Sequence, residues 1–500
     1  GVPVWVALRF ASDWRWLRDR SDSPWYPTMR LFRQRTPDDW TDVFLQIRAE
    51  LADLSFRHHG NVTPELRSAV SRAVEKQLAE APQIREAADP KSLSALGKAY
   101  VKLRRYDDAV ANFKRILEQN PNNVDALNDL AVAYLYLGRR DESRATYRRI
   151  IEIDPKHAAA HNGLGVELND QGRFDEALVE YEKALAIEPN NAGAHFNRAV
   201  LRLMHGDYPR GLAEHEWRLR LDEYRAPAFV PPRWEGGDPA GKTILLHGEQ
   251  GFGDVIQFVR YAEHLKRAGA KTLVSAPAEL AGLLETCPWI DRAVPFTVPL
   301  PDFDAYVPMM SLPYLCGTTV QTIPANVPYL FPDEDRIARW RRELEPVREA
   351  KVGIVWQGSK LHRTDRERSV PIEKFIELAA VPRVRLYSLQ KGIDPSAPKP
   401  PFAMTDLSVR LDTFLETAAV MKGLDLVITP DTSVAHLAGA LGVPVWVAVP
   451  FVPDWRWMRD REDSPWYPTM WLVRQRRLGV WDDVFQRMSA ELLKFAQGTT

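Results

Sequence analysis

Between residues 90 and 225 the apolar positions recur at helical spacing in blocks of 34 residues: 90–123, 124–157, 158–191 and a degenerate 192–225. Each block predicts two amphipathic helices. A small residue stands at the eighth place of each block, Gly97, Ala131, Gly165 and Ala199, and again at the twentieth, Ala109, Ser143, Ala177 and Gly211, where two helices must approach closely. Phe113, Tyr147 and Tyr181 fill the space between helices, and Pro121, Pro155 and Pro189 end each second helix. The fourth block carries His215 and Glu223 at the aromatic and proline places, which predicts a cap for the stack.

After the proline-rich stretch "RAPAFVPPRWEGGDPAG" the period changes. Short β-branched runs now alternate with amphipathic segments, the pattern of parallel strands joined by crossover helices. "KTILLHG" predicts a buried strand, "GEQGFGD" its loop and "VIQFVRYAEHLKRAG" the following helix, with "KTLVSAP" as the next strand. A charged helix, "DEDRIARWRREL", separates this lobe from a second one that restarts with "KVGIVWQGS" and continues through "VRLYSLQKG", "LDLVITPDTS" and a last strand "VPVWVAV".

A longer repeat spans the chain. Residues 1–51 align without a gap on residues 442–492, identical at 34 of 51 positions, and both copies carry the tryptophan-rich string read as "DWRWLRDRSDSPWYPTM" and "DWRWMRDREDSPWYPTM". The second copy follows "LDLVITPDTSVAHLAGAL"; the first has no such segment before it. Residues 1–51 are therefore expected to be the tail of an upstream copy of the second lobe, with 52–89 a helical linker. In the second copy the string is expected to leave the sheet edge and to bring Trp455, Trp457, Trp466 and Tyr467 together, chiefly as packing.

A net charge of -1 with 27% charged residues argues against a broad nucleic-acid or membrane surface. No apolar run reaches the ~20 residues that span a bilayer. Two cysteines, Cys287 and Cys316, are too far apart in sequence for a CxxC motif, which leaves a reduced, cytoplasmic protein as the expectation.

Three predicted loops at strand carboxyl ends, where such sheets bind ligands, carry candidate chemistry. In "HGEQGFGDVIQF", Gly248, Gly251 and Gly253 permit close backbone approach, and Asp254 stands at the mouth of a helix, a position where an aspartate is most often simply the cap. In "TPDTSVAHLAGALGVP", Asp431, Thr432 and Ser433 place hydroxyls and free N–H groups at a positive helix end, a natural seat for a pyrophosphate, with His436 one turn inside. Ala435, Ala438, Gly439 and Ala440 let that helix lie flat on the sheet. The basic loop "WQGSKLHRTDRERSVP" offers Lys360, Arg363, Arg366 and Arg368 to a diphosphate. "PDFD" at residues 301–304 has the spacing of a metal motif but lies in a proline-rich loop of the first lobe, so no metal is expected.

The 34-residue blocks resemble the tetratricopeptide family over about 135 residues. "GFGDVIQF", "RERSVP", "SLQKG", "PDTSVAHLAGALGVPVWV" and "PDWRWMRDREDSPWYPT" resemble, in order and spacing, bacterial tetratricopeptide proteins with a glycosyltransferase domain related to the heptosyltransferases, loosely similar to protein O-linked N-acetylglucosamine transferases. The resemblance implies an α/β GT-B fold of two doubly wound, Rossmann-like lobes, here 240–332 and 345–497, preceded by an all-α solenoid at 90–225. It implies an inverting transfer from a nucleotide-diphosphate sugar, without a cofactor, to a polypeptide or glycan. Asp254 matches the aspartate taken as base. Asp431, Thr432, Ser433 and His436 match the donor segment, and "SLQKG" adds Gln390 and Lys391 to the donor side. Arg368 lies where the heptosyltransferases carry a lysine, which keeps the charge and changes its geometry. The alternative is a catalytically silent scaffold in which the repeats bind peptides.

Overall fold

The computed structural model describes residues 4–8, 29–33, 90–221, 224, 227, 229–344, 348–359, 365–393 and 400–498, with the backbone alone at 4–8, 29–33, Lys102 and Arg366. The predicted linker 52–89 and the candidates Lys360 and Arg363 lie outside these residues. The chain divides into two compact units, residues 1–167 and 168–500.

In the first unit the 34-residue pattern produces helices α1 (Pro90–Lys102), α2 (Tyr106–Gln119), α3 (Val124–Leu137) and α4 (Arg140–Ile153), and the start of α5 (Ala158–Asn169). The Asn123 side chain caps α3 by accepting the Ala126 N–H at 3.0 Å, and Gly138 closes the same helix in the left-handed conformation at φ 75°. The small positions do what close approach requires. A Cβ on Gly97 would lie 2.4 Å from Phe113 Cε1, and the Ser143 hydroxyl reaches the Ala131 carbonyl at 3.0 Å. In the third block Gly163 also makes such a contact, where an added Cβ would meet the Tyr147 ring at 2.2 Å.

The first unit also holds two parallel strands, β1 (Val4–Leu8) and β2 (Met29–Arg33), paired from Val4 with Met29 to Leu8 with Arg33. In the second unit β11 (Val445–Val449) and β12 (Met470–Arg474) pair from Val445 with Met470 to Val449 with Arg474. The two registers coincide residue for residue across the repeat. The sheet therefore continues one strand beyond the one the sequence pattern took as last. "VPVWVAV" is followed by β12, and the tryptophan-rich string is the crossover between two neighbouring parallel strands rather than a tail leaving an edge. The strand was missed because "MWLVR" is only five residues long and abuts the aromatic string.

The second unit begins with α6 (Phe174–Ile187), α7 (Ala192–Met204) and the short α8 (Tyr208–His215). Two parallel sheets follow. The first has the order β5-β4-β3-β6, from β3 (Thr243–His247), β4 (Lys271–Ala276), β5 (Arg292–Pro295) and β6 (Ala305–Pro308). The second has the order β12-β11-β10-β7-β8-β9, with β7 (Ala350–Ile354), β8 (Val384–Ser388), β9 (Thr405–Asp406) and β10 (Leu426–Pro430). In each sheet the chain winds outward one way, returns and winds the other way. The order reverses between β3 and β6 and between β7 and β10, and loops leaving strands at such a point splay apart to leave a crevice.

The last helical block shares its unit with the sheets, so the compact boundary falls inside the repeats and not at the proline-rich stretch after residue 225. The aromatic string accounts for this. Trp455, Trp466 and Tyr467 are buried, Trp466 donates its indole N–H to the Tyr208 hydroxyl of α8 at 3.2 Å, and Trp455 packs against Tyr208 and His215. Burial of this much aromatic surface outweighs a linker's composition.

Candidate functional site

The loop after β3 turns at Gly251, the N-cap of α9 (Phe252–Phe258). The helix starts earlier than its apolar pattern suggests, so Asp254 is not at its mouth but in its first turn. From there the Oδ2 of Asp254 accepts the Gly251 N–H at 2.9 Å, the half of a capping box that a glycine N-cap permits. Its Oδ1 accepts from Arg456 Nη2. Both oxygens are engaged. Burial raises the Asp254 pKa and the neighbouring Arg456 opposes that rise. The same loop is braced from the other side, where Glu249 pairs with Arg218 at 2.9 Å, both side chains almost wholly buried, and accepts the Met310 N–H at 3.0 Å.

Along the chain α9 is followed by α10 (Ala262–Arg267), α11 (Ala278–Leu284), α12 (Glu334–Leu344) and α13 (Phe414–Met421), and in the second lobe Thr432 caps α14 (Ser433–Ala440). Its hydroxyl accepts the Val434 N–H at 3.3 Å and meets the Thr429 hydroxyl at 3.0 Å, so the cap consumes much of the polar capacity expected to face a ligand. His436 is core: it is 5% exposed, hydrogen-bonds with the Tyr467 hydroxyl at 3.0 Å and stacks on Trp457 with ring centres 5.1 Å apart. Burial first, and then Arg456, Arg260 and Arg368, hold its pKa well below the ordinary value, so the imidazole is neutral. Gly439 faces Tyr467 at 2.4 Å from an added Cβ; the small residue there serves the aromatic string and not the sheet alone.

The two helix starts meet. A Cβ on Gly253 would lie 2.7 Å from His436 Cδ2, so this glycine is required by the approach of α14. Around the contact lie Asp254, Arg456, Asp454, Asp431 and Arg368. Arg456 donates to Gln257 Oε1 at 2.7 Å and to Asp454 at 2.9 Å, and packs over the Trp455 ring at 4.7 Å. Arg368 Nη1 donates to the Asp431 carbonyl at 3.1 Å and presses on Gly358. The Asp431 carboxyl is pushed up to about 6 by burial and then by Asp454, against the pull of Arg368. It therefore titrates close to neutral pH.

The remaining candidates have other occupations. Gln390 is buried and ties two loops together, its Oε1 accepting the Trp356 and Gln357 N–H groups at 3.1 and 2.9 Å and its amide donating to the Gln357 and Lys391 carbonyls. Lys391 donates to the Ser408 carbonyl at 2.8 Å. Asp304 of "PDFD" accepts the Thr243 N–H at 2.7 Å, which is structural. Among the described residues no group of three or more His, Cys, Asp or Glu could hold a metal ion. Arg456, Asp454 and Gln257 were not singled out from the sequence. The available signal was an Asp and an Arg two residues apart inside an aromatic run, since a charge that becomes buried there must be paired.

A family model for the tetratricopeptide repeat matches residues 94–158, and a second, for the TPR repeat, matches residues 167–206. Residues 90–225 thus contain tetratricopeptide repeats. Over 302 residues the chain is 28% identical to Protein FlbA of Caulobacter vibrioides, which covers 54% of this chain and 50% of FlbA. The chain therefore spans about half the length of that curated relative. Solved structures similar to it include MamA (21% identity, TM-score 0.24, covering 31% of this chain and 88% of MamA) and TTC0263, a thermophilic TPR protein of Thermus thermophilus (22%, TM-score 0.27, 36% and 91%).

Proposed function

We propose that the α/β region is a GT-B glycosyltransferase that moves a sugar from a nucleotide-diphosphate donor to a polypeptide or glycan presented by the tetratricopeptide repeats. One observation carries the reading. The loops after β3 and β10, from different lobes, bring Asp254 and Asp431 under the influence of the same two charges, Arg456 and Asp454, with Asp254 bonded directly to Arg456. In this reading the acceptor oxygen attacks the anomeric carbon while the bond from that carbon to the diphosphate breaks. The acceptor proton passes to Asp254, and the diphosphate leaves toward the start of α14 and Arg368. Asp431 holds donor hydroxyls.

The experiment is calorimetric titration of the full chain with UDP-, GDP- and ADP-sugars, followed by hydrolysis assays with whichever bind. Micromolar binding of one donor together with slow hydrolysis supports the proposal, and no binding by any of them sinks it. A second reading, a peptide-binding scaffold with a silent α/β domain, is favoured by the engagement of both Asp254 oxygens. It predicts peptide capture by the repeats with no nucleotide affinity.

A further inference from the structure

The tryptophan-rich string holds its only described buried arginine at Arg456, 6% exposed. Every nitrogen of its guanidinium is assigned: Nε to Gln257, Nη1 to Asp454 and Nη2 to Asp254. Two of these partners, Gln257 and Asp254, sit one turn apart on α9 of the first lobe, while Arg456 itself comes from the crossover between β11 and β12 of the second. The ring faces of Phe258 and Trp455, 5.4 and 4.7 Å from the guanidinium carbon, remove its remaining freedom. A planar fork held in this way fixes direction as well as charge.

We propose that Arg456 is a positioning residue: reaching across the lobe junction, it fixes the orientation of the Asp254 carboxylate and so completes a reaction centre that the first lobe cannot assemble alone. The inference rests on the glycosyltransferase reading for what Asp254 does there, but not for the contact itself. The charged groups facing Asp254 are Arg456 and Asp454 from the second lobe, with the Gly251 N–H from its own helix start, while His436 of α14, packed on Gly253, is neutral. Arg456 and Asp454 therefore act on Asp254 in opposite senses, and each can be removed separately.

The test follows the Asp254 carboxyl carbon by NMR in full-length protein labelled at aspartate, with the signal assigned by its absence in Asp254→Asn. Arg456→Gln should raise the titration midpoint by about one pH unit or more, Arg456→Lys by less, and Asp454→Asn should lower it. With whichever nucleotide sugar the titration selects as substrate, Arg456→Gln should cut turnover about tenfold or more while leaving the donor KM within about threefold, with partial rescue by Arg456→Lys. Asp454 is partly exposed, so its replacement tests the idea even where Arg456→Gln does not fold. A folded Arg456→Gln protein with an unmoved midpoint, or an Asp454→Asn protein whose midpoint rises or stays, overturns the proposal. If wild-type protein turns over no nucleotide sugar, the glycosyltransferase reading fails separately, and the midpoints still decide the role of Arg456.

Discussion

The two helix starts that meet at the lobe junction, α9 in the first lobe and α14 in the second, use an aspartate in contrasting ways. Asp254 lies within its helix, reaches back to the Gly251 N–H at the N-cap and carries an arginine on its other oxygen. Asp431 stands just before the cap of its helix, with Thr432 doing the capping, and its carboxyl is lifted to about 6. The difference teaches that a strand-loop-helix motif does not determine the state of its carboxylate. Burial raises both acids, and which residue takes the cap and where the nearest guanidinium enters decide what opposes that rise.

The contact between the two starts is the most sensitive place to break this arrangement. Gly253→Val puts branched carbon where His436 packs, and His436 cannot retreat from Trp457 and Tyr467. A loss of about 2–3 kcal/mol is expected in denaturant unfolding, with His436→Ala in the same chain coupling to it non-additively.

The titration of Asp431 sharpens the contrast. Its folded pKa is raised above the unfolded value, so its contribution to stability is fully present below pH ~4 and is lost as pH rises through about 6. Relative to Asp431→Asn, the wild-type protein should therefore lose about 1–2 kcal/mol between those limits, a figure reduced for partial solvent access. Parallel unfolding curves of the two proteins across that range would refute the raised carboxyl.

A smaller change is expected at the cap itself. Thr432→Ala removes the acceptor for the Val434 N–H and should cost about 1 kcal/mol, measured as a shift in unfolding midpoint. Smallest of all should be Lys391→Ala. Its ammonium contacts one carbonyl at an exposed site, so stability should change by less than about 0.5 kcal/mol, and if Lys391 belongs to the donor side nucleotide affinity should fall all the same.

The helical repeats were legible in the sequence down to individual helix pairs because their information is local. Phe113 meets Gly97, and Ser143 meets Ala131, at separations of 16 and 12 residues, within or between adjacent helices of one periodic pattern. The same holds for β3, β4, β7, β8, β10 and β11, whose β-branched runs declared themselves, and for the repeat, whose two copies keep one strand register, while β5, β6, β9 and β12 lay outside those runs. The loops carrying Asp254, Asp431 and Arg368 were likewise marked by glycines, hydroxyls and charge next to predicted strands.

What the sequence could not supply is the junction. Arg456 is 202 residues from Asp254, and His436 approaches Gly253 from another lobe, so no periodicity links them. By itself the sequence determined the helix pairs, most of the strands, their order and the residue types available for chemistry, because propensity and amphipathic period act over a few residues. Only the tertiary structure decided that Thr432 is spent on a cap, that His436 and Gln390 are packing residues, and that the tryptophan-rich string joins the last repeat to both lobes. The physical reason is burial: where long-range packing removes water, every charge and hydroxyl must find a partner, and that partner is whichever group the fold brings near.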